Sequence, residues 1–316
     1  MIWCRLSAVL ALALIAALAA AVDRPGATPF QVAAHAPIRV GWQAVPLSDA
    51  GARPGAVIRP APLRPTQEMT HTAFLPVLEA SPECPAVSAN VYGTVPYEGG
   101  PYKNNRLSDE NADFRLSILG YEPTSAPLTF VDYGGPADAD GPRLHGIFEP
   151  NRVPDFVQAY RVYGWNWDEN APPPYGSRGP VNTNWPVTAI DFGVTPGEAI
   201  HIPARDAAIY SDGYTALVLY AGERELTAVY MRADQIVVNG SGYVVHMLGF
   251  CVDPNLLALY RAQLDATGRR ATGSLPALRN GQPAGTALAN PITVAIRDVG
   301  AYMDPRVERD WWRNHP

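Results

Sequence analysis

Proline is the residue that most restricts how this chain of 316 residues can fold. The sequence contains 32 prolines and 27 glycines. Because proline lacks a backbone N–H, it disfavours helix interiors and central strands and favours turns. This composition argues against a bundle of long helices and predicts short strands joined by many turns. We therefore expect an all-β or β-rich fold with one or two short helices.

Charge and length narrow the classes of function. Lysine and arginine total 24 against 30 aspartates and glutamates, which gives a net charge of -6. Since there is no surplus of cations to neutralise phosphates, the composition disfavours nucleic acid as a partner. At roughly 100–200 residues per domain, the chain can hold one large or two modest domains.

The first 22 residues have the pattern of a secretory signal peptide. Arg5 precedes an apolar run over residues 6–21, which ends in small residues before the polar Asp23. This arrangement predicts a cleaved signal and a secreted, extracellular or cell-envelope location. Retention as an N-terminal anchor is the alternative, but the run is shorter than the roughly 20 residues of a spanning helix. No later stretch reaches that length, so we expect no membrane span after cleavage.

Two cysteines remain after removal of the signal, which carries Cys4. In an exported chain, Cys84 and Cys251 are expected to form one disulfide. The alternative is a pair of buried thiols. No CxxC motif, typical of metal or redox sites, occurs in the sequence.

The mature chain divides into three predicted parts. Residues 23–72 are rich in proline and alanine without regular periodicity, which predicts a disordered spacer. Residues 73–185 contain short apolar runs, including 114–119, 128–133 and 156–167, and predict an N-terminal β-rich region. Residues 186–316 predict a second β domain, with a hairpin around the turn at 221–224. Asp253-Pro254 and Asp304-Pro305 each predict the start of a short helix.

Trp165 and Trp167 are candidates for a sugar-binding surface. In a strand, residues two positions apart lie on the same face, so the two indoles are expected side by side. Aromatic faces stack on the apolar faces of sugar rings. A buried aromatic seam is the alternative interpretation. The six histidines form no HExxH motif, and no GxSxG or P-loop occurs.

The C-terminal part resembles the LytM/M23 metallopeptidases, the zinc endopeptidases with a duplicated hybrid motif that cut peptidoglycan cross-bridges. The resemblance covers about 130 residues and is interrupted by an insertion at 240–274. It implies a barrel-like β domain over residues 186–316. The segments that carry it are residues 190–193 (IDFG), 196–204 (PGEAIHIPA), 226–232 (LTAVYMR), 275–285 (LPALRNGQPAG) and 292–305.

The zinc ligands of that family are largely replaced in this chain. Asp191 matches the ligand aspartate, but histidine positions of the family are occupied by Val187, Arg232, Pro291 and Thr293. A catalytic zinc needs about three protein ligands, so one carboxylate is insufficient. The resemblance therefore implies a degenerate, non-catalytic relative without catalytic residues, metal or cofactor. Segments 243–246, 254–260 and 294–298 also resemble exported bacterial proteins of uncharacterised activity, which favours export.

These observations favour a non-catalytic binding module of the cell envelope or extracellular space, with peptidoglycan or another polysaccharide as the expected partner. Arg232, Arg297 and Asp298 are predicted to line the groove left by the lost site, together with Asp191 and the two tryptophans. A structural ion pair at a strand edge is the alternative for the charged residues.

Two other functions remain open from the sequence. One is a hydrolase of cell-wall or polysaccharide material, which would require two facing carboxylates or His201 and His246 converging on Asp191. The other is a structural protein of a surface layer. The sequence leaves the ligand and the oligomeric state open.

Overall fold

The computed structural model describes residues 83–97, 105–209, 212–231 and 242–316. All of them fall in the second of the two units into which the chain divides, Leu75–Pro316. The predicted signal peptide, the predicted spacer and Arg232 lie outside the described residues.

Strands dominate the described part of the chain, and the prediction of a β-rich fold is confirmed. Three short helices accompany them, α1 (Leu116–Leu119), α2 (Pro254–Arg261) and α3 (Glu308–Trp311). The strands are β1 (Gly93–Pro96), β2 (Tyr121–Pro123), β3 (Phe156–Trp167), β4 (Gly176–Val181), β5 (Ala189–Phe192), β6 (Ala199–His201), β7 (Tyr214–Ala221), β8 (Glu225–Met231), β9 (Gly242–Leu248), β10 (Phe250–Val252), β11 (Ser274–Arg279), β12 (Pro283–Ala287), β13 (Ile292–Asp298) and β14 (Ala301–Tyr302).

Eleven of these strands form one antiparallel sheet, in the order β1-β11-β7-β8-β9-β13-β5-β3-β2 with β14 beside β13 and β4 beside β3. A second sheet has the order β10-β12-β6. The order of the large sheet has two ends, so the described strands do not close into a barrel. The predicted boundary between residues 185 and 186 falls inside this sheet, because β3 pairs directly with β5.

The two faces of the large sheet pack against different layers. One face supplies the main core, with Leu226, Met247 and Ile296 among its buried side chains. The other face is covered by residues 112–119, of which Ala112, Leu116 and Leu119 form one apolar cluster with Ala189 and Ala295. We call this second face the covered face. Because both faces are buried, β7 and β8 contain no exposed residue.

The predicted hairpin of residues 216–231 is confirmed as β7 and β8, closed by a hydrogen bond from Gly222 N to Glu225 O of 2.8 Å. The apolar run 114–119, by contrast, contains helix α1 rather than a strand. Leu116 and Leu119 of α1 are buried against the covered face. The helix ends at Gly120, whose φ of 73° favours glycine.

The predicted start of α2 is confirmed. The Asp253 carboxylate accepts from the backbone N–H of Asn255 and Leu256, at 2.9 and 3.4 Å, and Pro254 occupies the first turn. The same prediction for Asp304 is wrong, since α3 begins at Glu308. Asp304 is fully buried and binds the guanidinium of Arg306 at 3.0 and 2.7 Å. Its Oδ1 also accepts from the backbone N–H of Arg306 at 3.0 Å, so the carboxylate forms the local turn, but no helix follows it directly.

Cys84 and Cys251 form a disulfide, with their Cα atoms 5.3 Å apart. It joins the segment preceding β1 to β10. Ser88 and Asn90 reinforce the attachment by donating to Asp253 at 2.5 and 2.7 Å. The N-terminal end of the described chain is thereby fixed to the start of α2.

Removing this disulfide should lower the free energy of unfolding by up to about 5 kcal/mol, because the bridge closes a loop of 167 residues in the unfolded chain. We expect the double variant Cys84→Ser/Cys251→Ser to unfold at lower urea concentration than the oxidised protein. A reductant should destabilise the natural chain and leave the double variant unchanged. Equal unfolding midpoints for the two proteins would contradict this expectation.

Candidate functional site

A pocket of about 390 Å³ opens where β8 begins and β9 ends. Its volume lies within the range of small-ligand sites, roughly 300–1,000 Å³. The lining combines tyrosine rings, charged side chains and hydroxyl groups. The lining residues are Arg115, Ser117, Tyr121, Tyr220, Gly222, Glu223, Arg224, Glu225, Leu248, Gly249 and Thr293.

The register of the large sheet aligns the polar residues at this pocket. Glu225 lies opposite Leu248, Leu248 opposite Thr293, and Thr293 opposite Asp191. Residues directly opposite on antiparallel strands place their side chains on the same face. These four residues therefore form one row across the covered face. At about 4.8 Å per strand, the Cα atoms of Glu225 and Asp191 are separated by about 14 Å.

The Glu225 carboxylate links the sheet to α1. One of its oxygens accepts from Ser117 N at 3.1 Å, and the other accepts from Ser117 Oγ at 2.6 Å and from Arg115 Nε at 3.1 Å. Arg115 also lies over the Tyr220 ring, 4.9 Å from its centre. Both carboxylate oxygens are thus satisfied, and the ion pair forms part of the pocket wall.

Asp191 lies next to Thr293 in this row, outside the pocket lining, and is 5% exposed. It accepts from Tyr160 Oη at 2.7 Å and from Thr293 Oγ1 at 2.6 Å. Burial raises the pKa of Asp191 above its usual value. The Tyr121 hydroxyl lies 3.5 Å from Thr293 Oγ1. Because Thr293 directs its proton to Asp191, the lone pairs of its oxygen are left to accept from Tyr121 or from a ligand.

His246 lies in the adjacent row of the covered face, opposite Thr227, and is fully buried. Thr227 donates its hydroxyl proton to Phe114 O, so its contact of 3.0 Å with His246 Nδ1 requires the imidazole to donate. The neutral ring then has an acceptor at Nε2, which contacts no donor among the described residues. Burial lowers the pKa of His246 to about 3.

The buried neutral state of His246 should make the fold sensitive to acid. An unfolded histidine takes up a proton below about pH 6.5, whereas His246 in the folded chain resists protonation until about pH 3. The contribution of the neutral His246 to the free energy of unfolding is therefore present above pH 6.5 and is lost progressively between about pH 6.5 and 3.

We expect His246→Gln to lose less stability than the natural chain between pH 7 and 4, measured by urea unfolding. His315→Gln, at a surface histidine whose pKa is raised by Pro316 and Glu308, should not reduce the acid loss. Parallel pH profiles for the natural chain and His246→Gln would contradict this assignment.

The predicted charged residues lie elsewhere on β13. Arg297 approaches Asp113 with 3.7 Å between Nη1 and Oδ1, and its guanidinium lies 5.1 Å from the centre of the Tyr302 ring. Asp298 pairs in register with Ala301 at the same end of the strand. Neither Arg297 nor Asp298 is among the residues that line the pocket. The contact between Arg297 and Asp113 agrees with the alternative interpretation of Arg297, a structural ion pair at a strand edge.

Trp165 and Trp167 lie side by side on β3, with ring centres 6.1 Å apart. Trp165 is half-buried and packs against the apolar cluster of the covered face. Trp167 is 36% exposed, and the Arg106 guanidinium lies 3.6 Å from the centre of its ring. One face of Trp167 is therefore already stacked on a cation. The pair is separate from the set of residues that lines the pocket.

The histidines named with Asp191 do not converge on it. His201 belongs to β6 in the small sheet, and burial lowers its pKa. The Asp191 carboxylate accepts from the hydroxyl groups of Tyr160 and Thr293. Within residues 83–97, 105–209, 212–231 and 242–316, no group of three or more His, Cys, Asp or Glu side chains is placed to hold a metal ion.

Sequence reasoning did not identify Arg115, Ser117, Tyr121, Tyr220 and Glu225 as site residues. They come from separate segments, so no local motif joins them. One local signal was present: Glu225 and Thr227 alternate with apolar residues in the second strand of the predicted hairpin, which the structure shows to be buried. Polar residues at alternate positions of a buried strand indicate a face with specific hydrogen-bond partners.

Comparison with family models, curated proteins and solved structures finds no match to this chain. The resemblance to the M23 peptidases therefore stays a prediction. None of the helices in the described ranges has the length and apolar character needed to cross a membrane.

Proposed function

We propose that this protein is an exported, non-catalytic binding module of the cell envelope or extracellular space, and that its pocket binds a segment of glycan, in peptidoglycan or another polysaccharide. The observation that carries the proposal is the lining of the pocket. Two tyrosine rings stand there beside an internally satisfied ion pair and a threonine whose hydroxyl proton is directed inward.

The aromatic part of the pocket suits the apolar face of a sugar ring. Tyr121 and Tyr220 both line it, and because Tyr220 is 4% exposed and lies under the Arg115 guanidinium, the ring available to a sugar is that of Tyr121. The turn residue Gly222 gives Tyr220 its room, since a Cβ at position 222 would lie 2.9 Å from the Tyr220 hydroxyl. Aromatic rings with a polar end suit ligands that alternate apolar faces and hydroxyl groups.

The polar part of the pocket is oriented before any ligand arrives. Asp191 holds the Thr293 hydroxyl so that its oxygen can accept, and Glu225 holds Arg115 in place. A sugar hydroxyl can donate to one group and accept from another. Because these protein groups are already oriented, they lose little conformational entropy when a ligand binds, which favours recognition of a small polar ligand.

The cysteine chemistry supports an exported location. Disulfides persist in oxidising compartments and are rare in the cytosol. The Cys84–Cys251 bridge therefore agrees with the signal peptide proposed for residues 1–22. Together with the sugar-compatible pocket, this favours a partner in the cell envelope or outside the cell.

A hydrolase is the second candidate, because Glu225 and Asp191 share one face of the sheet. Glycosidases place two carboxyl groups about 5–9.5 Å apart, whereas these two residues are separated by three strand spacings. Both Glu225 oxygens are also occupied by Ser117 and Arg115. These contacts favour binding without catalysis, and hydrolysis of the bound glycan during the binding assay would favour the second candidate.

Truncating one aromatic side chain at each candidate surface tests where glycan binds. We expect Tyr121→Ala to weaken binding of soluble peptidoglycan fragments or polysaccharide oligomers about tenfold, through loss of ring contact. Isothermal titration calorimetry with the mature chain, residues 23–316, measures the affinity. Trp167→Ala is the matched control on the half-exposed β3 pair and should bind normally. Weaker binding by Trp167→Ala with normal binding by Tyr121→Ala would place the site at the tryptophans. Absence of binding by the natural chain would overturn the proposal.

A nearly isosteric change at Thr293 tests the oriented hydroxyl. Thr293→Val removes the acceptor offered to the ligand and one donor to Asp191. We expect roughly fivefold to tenfold weaker glycan binding, and about 1–3 kcal/mol lower stability from the unpaired carboxylate oxygen. Thr293→Ser retains the hydroxyl and should restore both properties. Affinity by calorimetry and stability by urea unfolding give the two readouts, and undiminished binding by Thr293→Val would contradict this role.

A further inference from the structure

The charged side chains around the pocket differ in how they are paired. Four charged side chains line it: Arg115, Glu223, Arg224 and Glu225. Glu225 is buried and neutralised by Arg115 at 3.1 Å. Glu223 is exposed and lies 3.9 Å from Arg261. Arg224 forms no ion pair among the described residues, so its guanidinium is the charged group at the rim that an anionic ligand can bind.

The backbone holds Arg224 at a fixed place on this rim. Its carbonyl accepts from Gly249 N at 3.0 Å, and the preceding Glu223 carbonyl accepts from Val252 N at 3.0 Å. The turn between β7 and β8 is therefore attached to β10 and the residue before it, while the Arg224 side chain is exposed. A guanidinium on a fixed backbone can reach a ligand without a loop rearrangement.

We infer that the pocket selects glycans that carry a carboxylate on the sugar, and that Arg224 binds this carboxylate. The inference rests on the proposed glycan-binding function and specifies its ligand class. The sugar ring contacts Tyr121, a ring hydroxyl donates to Thr293, and the carboxylate accepts two parallel hydrogen bonds from the Arg224 guanidinium. A neutral sugar makes the first two contacts and leaves Arg224 unpaired.

Arg115 cannot take the place of Arg224. Its Nε is bound to Glu225 and its Nη1 donates to Asp109 O at 2.7 Å. Its charge is compensated by the buried carboxylate, so it contributes little net attraction for an anion. The selectivity for acidic sugars is therefore assigned to a single exposed side chain, whose replacement leaves the core contacts intact.

Carboxylated sugars come from two sources that the same chemistry would recognise, uronic acids of polysaccharides and muramic acid of peptidoglycan strands that carry no stem peptide. The test uses the mature chain and calorimetry with two matched pairs: a galacturonate trisaccharide and its methyl ester, and an N-acetylglucosamine–N-acetylmuramic acid disaccharide and its methyl ester. Esterification removes the charge and keeps the sugar. We expect at least one acid to bind about tenfold more tightly than its ester, and the pair that shows this preference identifies the source.

Two arginine variants assign the preference to one side chain. Arg224→Gln should bind acid and ester equally, while Arg279→Gln, at an exposed arginine that packs on Tyr214 outside the pocket lining, should keep the preference of the natural chain. Arg224→Lys should retain part of it, because the charge remains without the bidentate geometry. A preference that survives in Arg224→Gln would overturn the role of Arg224.

The remaining outcomes separate this inference from the function on which it rests. Equal binding of acids and esters by the natural chain, with both weakened by Tyr121→Ala, would overturn the carboxylate selectivity and leave glycan binding in place. Binding of none of the sugars, acid or ester, and of no larger glycan fragment would overturn the proposed function and this inference with it.

Discussion

The attachment of Ser117 and Arg115 to the buried carboxylate of Glu225 is the interaction on which the site depends. A carboxylate at the start of a buried strand is costly unless hydrogen bonds and an opposite charge compensate it. Ser117 supplies two donors and Arg115 a third. The same contacts hold α1 against the covered face of the large sheet. The compensated Glu225 carboxylate therefore attaches the second layer to the sheet and forms one wall of the pocket.

The covered face also holds buried polar side chains on the neighbouring strands. Its apolar residues pack under residues 112–119, while Asp191, Thr293, Thr227 and His246 form hydrogen bonds among themselves or with the tyrosines around them. Buried polar networks are stable only when their members are paired, and paired members have fixed orientations. The Thr293 oxygen at the pocket wall is oriented in this way by a carboxylate that is itself almost inaccessible to solvent.

Features governed by local chemistry were predictable from the sequence, and features governed by long-range contacts were not. The hairpin turn after Ala221 and the Asp253 cap follow from residues a few positions apart. Asp304 has the same local pattern but pairs with Arg306, and residues 114–119 form a helix because they pack on a sheet built from distant strands. The pocket could not be predicted for the same reason. Its lining comes from distant segments that meet only after the sheet has formed, among them Arg115, Tyr121, Glu225 and Thr293. Proline content and strand periodicity therefore predicted the fold class, whereas sequence resemblance directed attention to Arg297 and Asp298, away from the pocket.

Hydrogen–deuterium exchange of the mature chain, with and without soluble peptidoglycan and polysaccharide fragments, tests the central claim most directly. Peptides covering residues 115–121 and 220–225 should gain protection when glycan binds, because α1, β2 and the turn between β7 and β8 surround the pocket. The hairpin of β3 and β4, with Trp165 and Trp167, should exchange at an unchanged rate. Protection confined to that hairpin, or no protection anywhere under saturating glycan, would contradict the account.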